Sequence, residues 1–262
     1  MSKLCFAKYE GAGNDFILID DRSEAFPAHD KRLIARLCNR RYGIGADGLI
    51  LLQLDAIADC KMRIFNSDGS EAESCGNGLR CLARFAQEQG LGLSTFAIQT
   101  LGGMVVARVG EHVAIEMEAP SDVRLHLETE VGPIHFARTG VPHAVHIVPD
   151  VSSVDLSHLG PLLRRHPLFG PEGANVNVAA VEPDGGVAVR TFERGVEAET
   201  LACGTGAAAV ASVLSALKGA PGPFSLRCKG GTLTVEVQGE SLLLAGPAHK
   251  VFEGSIFVCC RD

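Results

Sequence analysis

A chain of 262 residues, 46% hydrophobic and 21% charged, is long enough to bury a substantial core as one large domain or two small ones. Its net charge of −7 excludes a general nucleic-acid or anionic-membrane surface, which needs excess lysine and arginine to meet phosphates; the local run Arg164-Arg165-His166 does not change that. The N-terminal residues reach Lys8, Glu10 and Asp15 without an apolar stretch, so no signal peptide is expected. The longest apolar run, 207–217, is too short to span a bilayer. Nine cysteines, odd in number and scattered, then suggest reduced and mostly buried thiols in a cytoplasmic protein.

In chain order, strand-like runs are expected at 16–20, 62–65, 96–101, 104–109 and 113–117. Others follow at 144–148, 176–181, 187–192, 232–237 and 241–245, most of them bounded by or close to Gly or Pro. A last strand, 254–259, is expected to return to the first half. Three helices are predicted. The first covers 30–41, with Leu33, Ile34, Leu37 and Cys38 on one face. The second covers 76–89, with Leu79, Leu82, Ala83 and Ala86 at helical spacing, and stops at Gly90. The third, 204–218, is small and apolar all round, and a helix without a polar face is normally buried on every side.

An internal repeat organises these elements. Cys75-Gly76-Asn77-Gly78 returns as Cys203-Gly204-Thr205-Gly206, and the pairs Gly102-Gly103 and Gly230-Gly231 each follow their cysteine at the same distance. Arg63-Ile64-Phe65-Asn66 resembles Arg190-Thr191-Phe192-Glu193, and Phe6-Ala7-Lys8 resembles Phe136-Ala137-Arg138. Four matches in one order at a near-constant offset imply two similar halves. The expected fold class is α+β: two pseudo-symmetric halves, each a strand-rich layer wrapped around a central helix whose first turn follows a cysteine. The halves are assigned to 1–118 and 119–251, with a linker near 119–130 and with 252–262 returning to the first half.

The cysteine positions suggest the chemistry. The first N–H groups of a helix lack intrahelical partners and carry partial positive charge. A thiol there is expected to ionise more readily, the adjacent glycines let a ligand approach the backbone, and the N–H groups suit a carboxylate. Two such ends facing each other would hold one carboxylate, with the neighbouring α-carbon between the sulfurs. That arrangement fits cofactor-independent racemisation or epimerisation of an amino acid, Cys75 and Cys203 serving in turn as base and acid. A zinc site is a poorer reading, since no C-x-x-C occurs. Cys259-Cys260 is better read as core packing.

With these residues in hand the chain resembles the diaminopimelate epimerase family along essentially its whole length. The motifs are Gly11-Ala12-Gly13-Asn14-Asp15-Phe16, Gly43-Ile44-Gly45-Ala46-Asp47-Gly48, Asn66-Ser67-Asp68-Gly69-Ser70-Glu71 and Cys75-Gly76-Asn77-Gly78-Leu79-Arg80-Cys81. Pro142-His143, Asn175-Val176-Asn177, Glu193-Arg194-Gly195 and Ala202-Cys203-Gly204-Thr205-Gly206 complete the set. The resemblance implies interconversion of LL- and meso-2,6-diaminopimelate with no cofactor or metal, by a cytoplasmic homodimer acting on a small molecule in lysine biosynthesis. Gly76, Asn77, Gly204 and Thr205 would bind the reacting carboxylate. Asn14, Asn66, Asn175 and Arg194, beside Glu193, would hold the distal end, and His143 and Glu193 would tune or relay protons. Two positions depart from the family pattern: Val141 where many members carry Asn, and Gly48 where some carry Gln. They leave open a histidine racemase-like activity, while a non-catalytic amino-acid binding protein and a redox-sensing thiol pair are the alternatives from other classes.

Overall fold

The computed structural model describes residues 2–258, so Cys259, Cys260 and the end of the expected last strand lie outside the described residues. The chain divides into two compact units: one runs up to Ile115 and resumes at Pro247, the other runs from Glu116 to Gly246. The first contains β1 (Ser2–Gly11), β2 (Asn14–Asp20), α1 (Lys31–Cys38), β3 (Gly48–Gln53), β4 (Cys60–Asn66), β5 (Glu71–Ala72), α2 (Gly76–Ala86), β6 (Thr95–Thr100) and β7 (Gly103–Val109). β8 (Val113–Glu118) pairs with β7. The second contains β9 (Val123–Thr129), β10 (Gly132–Thr139), β11 (Val141–Ile147), α3 (Leu156–Arg164), β12 (Asn175–Val181), β13 (Val187–Glu193), β14 (Ala198–Thr200), α4 (Gly204–Lys218), β15 (Phe224–Cys228), β16 (Gly231–Gln238) and β17 (Ser241–Gly246). β18 (His249–Val258) returns to the first unit and pairs antiparallel with β1 from Ser2–Val258 to Glu10–His249.

The two units share one wiring. In the first, β1, β2, β3 and β4 pair in that order, β2 and β3 being parallel. In the second, β10, β11, β12 and β13 do the same, with β11 and β12 parallel. A short parallel pairing then joins β4 to β6 and β13 to β15, and an antiparallel pair closes each run. β9 beside β10 corresponds to β18 beside β1.

Each unit covers its sheet with a helix on both faces, which is why β3 and β12 are buried almost throughout. On one face of β3, Leu49 and Leu51 pack with Ile34 and Leu37 of α1. On the other, the ends of Ile50 and Ile64 lie against α2 at Gly78. In the second unit Val176, Val178 and Phe192 pack with Leu156, Leu159 and Leu163 of α3. The opposite face belongs to α4, buried from Gly206 through Leu214 as its lack of a polar face requires. Among the described residues no helix is long and apolar enough to cross a membrane.

Several boundaries differ from expectation. Residues 123–129 are a strand rather than part of a linker: they pair with β10, and Arg124 lies 4.2 Å over the Phe136 ring. The first helix ends at Cys38 because Asn39 turns extended and its Oδ1 accepts from the amides of Arg41 and Tyr42. The helix α3 adds to the three expected helices; Gly160-Pro161 interrupts its pattern in the sequence. Its cap is nonetheless ordinary, Asp155 accepting from the Ser157 amide at 3.1 Å. Gly160 is required there, since a Cβ would stand 2.4 Å from the Phe192 ring.

The packing of α4 makes a testable distinction. The Ser212 hydroxyl donates back to the Ala208 carbonyl at 2.7 Å, a bond that competes with the helix ladder. Ser212→Ala should leave stability unchanged or raise it by about 0.5 kcal/mol, whereas Leu214→Ala should cost about 2–5 kcal/mol. Urea unfolding measures both, and a loss above about 1 kcal/mol for Ser212→Ala would contradict this account of α4.

Candidate active site

In the first unit, Cys75 is the extended residue that opens α2. Its Sγ donates across 3.8 Å to Asn14 Oδ1, which also receives Asn77 Nδ2 at 3.4 Å. The orientation of both amides is forced by neighbours of one kind only. Asp47 Oδ2, an acceptor, takes Asn14 Nδ2 at 2.7 Å, so Oδ1 must face the thiol. Fully buried Arg80, a donor, gives Nη2 to Asn77 Oδ1 at 2.8 Å and also reaches the carbonyls of Pro247 and Gly76. Asp47 is itself fixed by Arg40 at 2.8 Å, and Arg40 grips Asp15 through two bonds of 2.8 and 2.7 Å.

Buried Lys8 completes this cluster, 2.7 Å from Asp15 Oδ2 and donating to the Gly45 carbonyl. Burial works against the Asp15 charge, but Arg40 and Lys8 outweigh it and hold the carboxyl far below the usual range. Asn14, Cys75, Gly76 and Asn77 therefore form one group. Asn66 is not joined to it: its amide donates to Ser70 Oγ at 3.0 Å in an exposed turn. Gly48 has a steric reason, since any Cβ would come 2.6 Å from the Phe65 carbonyl, and a longer side chain needs these strands to separate.

In the second unit, buried Cys203 caps α4, its Sγ receiving the Gly206 amide at 3.4 Å and lying 3.4 Å from Thr205 Oγ1. Thr139 Oγ1 donates to the Thr205 carbonyl at 2.8 Å. The expectation that this thiol ionises near neutrality is corrected here. Burial and the nearby Glu193 charge push Cys203 up to about 12, against the opposing effect of Thr205 and Gly206. Burial also raises Glu193, with the Thr200 hydroxyl acting the other way. That hydroxyl makes no hydrogen bond of normal geometry among the described residues.

Asn175, buried at the start of β12, accepts the Arg194 amide at 2.7 Å and donates to the Pro142 carbonyl at 3.3 Å, tying together the ends of three strands. The Arg194 guanidinium is 3.3 Å from the exposed carboxylate of Glu172. His143 is fully buried beside Asn177 and is held down to about 3 by burial and by the Arg194 charge. The unit thus groups Cys203, Gly204 and Thr205 at the helix start, Glu193 beside them, and His143, Asn175 and Arg194 at the strand ends. Sequence reasoning missed the supports: Lys8, Arg40 and Asp47 beneath Asn14, Arg80 beneath Asn77, and Thr139 beneath Thr205. Only the alternation Asn175-Val176-Asn177, which puts two polar residues on one face of a buried strand, was available as a signal.

Comparison with known structures defines the fold class. A PhzF-family phenazine biosynthesis protein from Bacillus anthracis matches with a TM-score of 0.78 at 15% identity, covering 98% of this chain and 100% of that one. A hydroxyproline epimerase from Agrobacterium vitis, with bound trans-4-OH-L-proline, matches with a TM-score of 0.67 at 18% identity, covering 98% and 91%. The chain thus has the two-domain α+β fold seen in these proteins. At the sequence level, the diaminopimelate epimerase model matches residues 6–122 and 135–251. The diaminopimelate epimerase of Flavobacterium psychrophilum is 39% identical over 257 residues, 95% of this chain and 98% of its own. That of Aquifex aeolicus is 40% identical, covering 96% and 97%. The chain belongs to the diaminopimelate epimerase family.

The two helix starts differ in what lies beneath their third residue. A Cβ on Gly206 would come 2.4 Å from Asn177 Oδ1, whereas one on Gly78 would meet the flexible ends of Ile50 and Ile64 at 3.0 Å. Gly206→Ala should therefore destabilise by about 1–3 kcal/mol, and Gly78→Ala by clearly less. Thermal unfolding of the two variants gives the order, and equal losses would contradict the asymmetry.

Proposed function

We propose that this protein is a cofactor-independent amino-acid epimerase that interconverts LL- and meso-2,6-diaminopimelate, with Cys75 and Cys203 as its two acid–base groups. The observation that carries this reading is that each unit opens its central helix on a cysteine, in a chain matched by the family model in both halves. The first N–H groups of those helix starts supply donors for the carboxylate at the reacting centre: Gly76 and Asn77 from one helix, Gly204 and Thr205 from the other. Donors aimed at that carboxylate lower the cost of the negative charge that develops when the α-proton leaves.

Burial and Glu193 keep Cys203 protonated at neutral pH, so it enters as the acid. In that direction Cys75 takes the α-proton on one face while Cys203 delivers a proton to the other. The reverse direction exchanges the roles, and Glu193, whose charge acts on the Cys203 thiol, is assigned to accept the Cys203 proton. The carbonyl oxygen of Asn14 beside Cys75 supports a hydrogen-bonded thiol form once that proton has been taken. Arg194, Asn175 and Asn66 are assigned to the distal amino-acid end, where the planar guanidinium suits a carboxylate. The exposed apolar side chains of Val251, Phe252 and Phe257 on β18 support a homodimer as the assembled form. The reduced thiols this chemistry needs are favoured in the cytoplasm.

Incubation with LL-diaminopimelate, followed by chromatographic resolution of the meso form, tests the assignment. Cys75→Ala and Cys203→Ala should each abolish conversion, while Cys38→Ala and Cys81→Ala, both deep in the core, should keep it after allowance for lost stability. Near-normal conversion by either of the first two variants would sink the two-cysteine mechanism. Conversion of histidine but not of diaminopimelate would move the substrate to a monocarboxylic amino acid and leave the thiols in their roles.

A further inference from the structure

The internal repeat exposes a substitution of polar for apolar groups at one place in the core. In the first unit Phe16 aligns with Gly48 across β2 and β3, and Ile50 faces Ile64 across β3 and β4. At the corresponding register of the second unit, His143 aligns with Asn175, and Asn177 faces Thr191. His143, Asn177 and Thr191 thus stand where the other unit has Phe16, Ile50 and Ile64, and all six are buried. The first unit folds with the apolar set, so the architecture does not require the polar one. Burying three polar side chains costs free energy unless each is hydrogen-bonded.

The bonds within this set have one consistent assignment. Asn177 Nδ2 lies 3.0 Å from the Ala144 carbonyl, which only accepts, so this atom is the amide nitrogen. Its oxygen receives the Thr191 hydroxyl at 2.9 Å. The second hydrogen of Nδ2 is then directed at His143 Nδ1, 3.2 Å away, and that ring nitrogen must present a lone pair. A neutral imidazole with Nδ1 as acceptor carries its hydrogen on Nε2. His143 Nε2 is buried and has no hydrogen-bond partner among the described residues. Protonating the ring would set an Nδ1–H against the amide N–H.

We infer that Asn177, held by Thr191 and the Ala144 carbonyl, is a positioning residue that locks His143 as the neutral Nε2–H tautomer, so that His143 offers the site a hydrogen-bond donor and not a base. The inference rests on the epimerase reading for its kinetic consequence, but not for the tautomer itself. Gly206 extends the lock to the helix that carries Cys203, since its missing side chain is what lets Asn177 Oδ1 lie beneath the first turn of α4.

Imidazole nitrogen NMR of the intact, 15N-histidine-labelled protein reads the tautomer directly. Wild type should show His143 as the neutral Nε2–H form throughout about pH 5–8. An Nδ1–H tautomer or an imidazolium in that range overturns the inference, whether or not the protein turns over diaminopimelate. Asn177→Asp keeps the shape but replaces the donor by an acceptor, and should move the hydrogen to Nδ1 or charge the ring. Its kcat/KM should fall at least about 10-fold, because the site loses a fixed hydrogen-bond donor. Thr191→Val removes one of the two bonds that hold Asn177 and leaves the Ala144 carbonyl to orient it, so any Nδ1–H form that appears in this variant is expected as a minor population beside the Nε2–H form. Should Asn177→Asp fail to fold, the wild-type spectrum still decides: an Nδ1–H tautomer or an imidazolium there refutes the lock. Correct spectra with no diaminopimelate turnover would instead retain the lock and reject the proposed substrate.

Discussion

Each unit depends on how it begins a helix that has no exposed side. The helix α4 is enclosed from Gly206 to Leu214, and α2 is buried along most of its length, so neither first turn can leave its amide groups to bulk water. The chain places cysteine at each cap and glycine in each first turn; the Cys203 sulfur accepts the Gly206 amide, whereas Cys75 makes no such cap bond and points its thiol at Asn14. A thiol is small and apolar enough to sit in the core, yet can hold or release a proton, and glycine lets the turn lie against the sheet. What makes these helices fit their sheets is also what puts a titratable sulfur beside the N–H groups of a helix start.

The two copies of this device have diverged in electrostatics. Around Cys75 the supports are charged: partly exposed Arg40 and Asp47 fix Asn14, buried Lys8 pairs with the adjoining Asp15, and Arg80 fixes Asn77 from within the core. Around Cys203 the supports are neutral and buried, and the one nearby carboxylate, Glu193, disfavours the thiolate. A reversible proton exchange between two faces of a carbon needs two groups that are never in the same protonation state. Unequal surroundings are a physical means of achieving this.

Much of the architecture was legible because each sheet is repeated and each central helix is unusual. Residues 204–218 could only be a buried helix, and the matching Gly-Gly pairs located the hairpins after both cysteines. The helix α3 was hidden by Gly160-Pro161, and β9 by a mixed run, Val123-Arg124-Leu125-His126-Leu127, whose pairing with β10 cannot be read locally. At the site, the motifs pointed to Asn14, Asn77 and Asn175, but not to what holds them. Asp47 reaches Asn14 from just before β3, 33 residues away in sequence, while Arg80 meets Asn77 three positions earlier on the same helix, a spacing the sequence does contain. The elevated thiol of Cys203 is a tertiary effect too, because a helix start predicts the opposite sign and enclosure reverses it.

The central claim is that two different monoprotic groups serve the two faces of one α-carbon. It is tested most directly by the isotope content of substrate and product at the earliest measurable conversion of LL-diaminopimelate in D2O. The account predicts that every meso molecule formed carries one solvent deuterium at the inverted centre, while the remaining LL substrate keeps its original hydrogen there. Deuterium appearing in recovered LL substrate as fast as in product, or product retaining the substrate's own hydrogen, would mean that a single group serves both faces, and would contradict it.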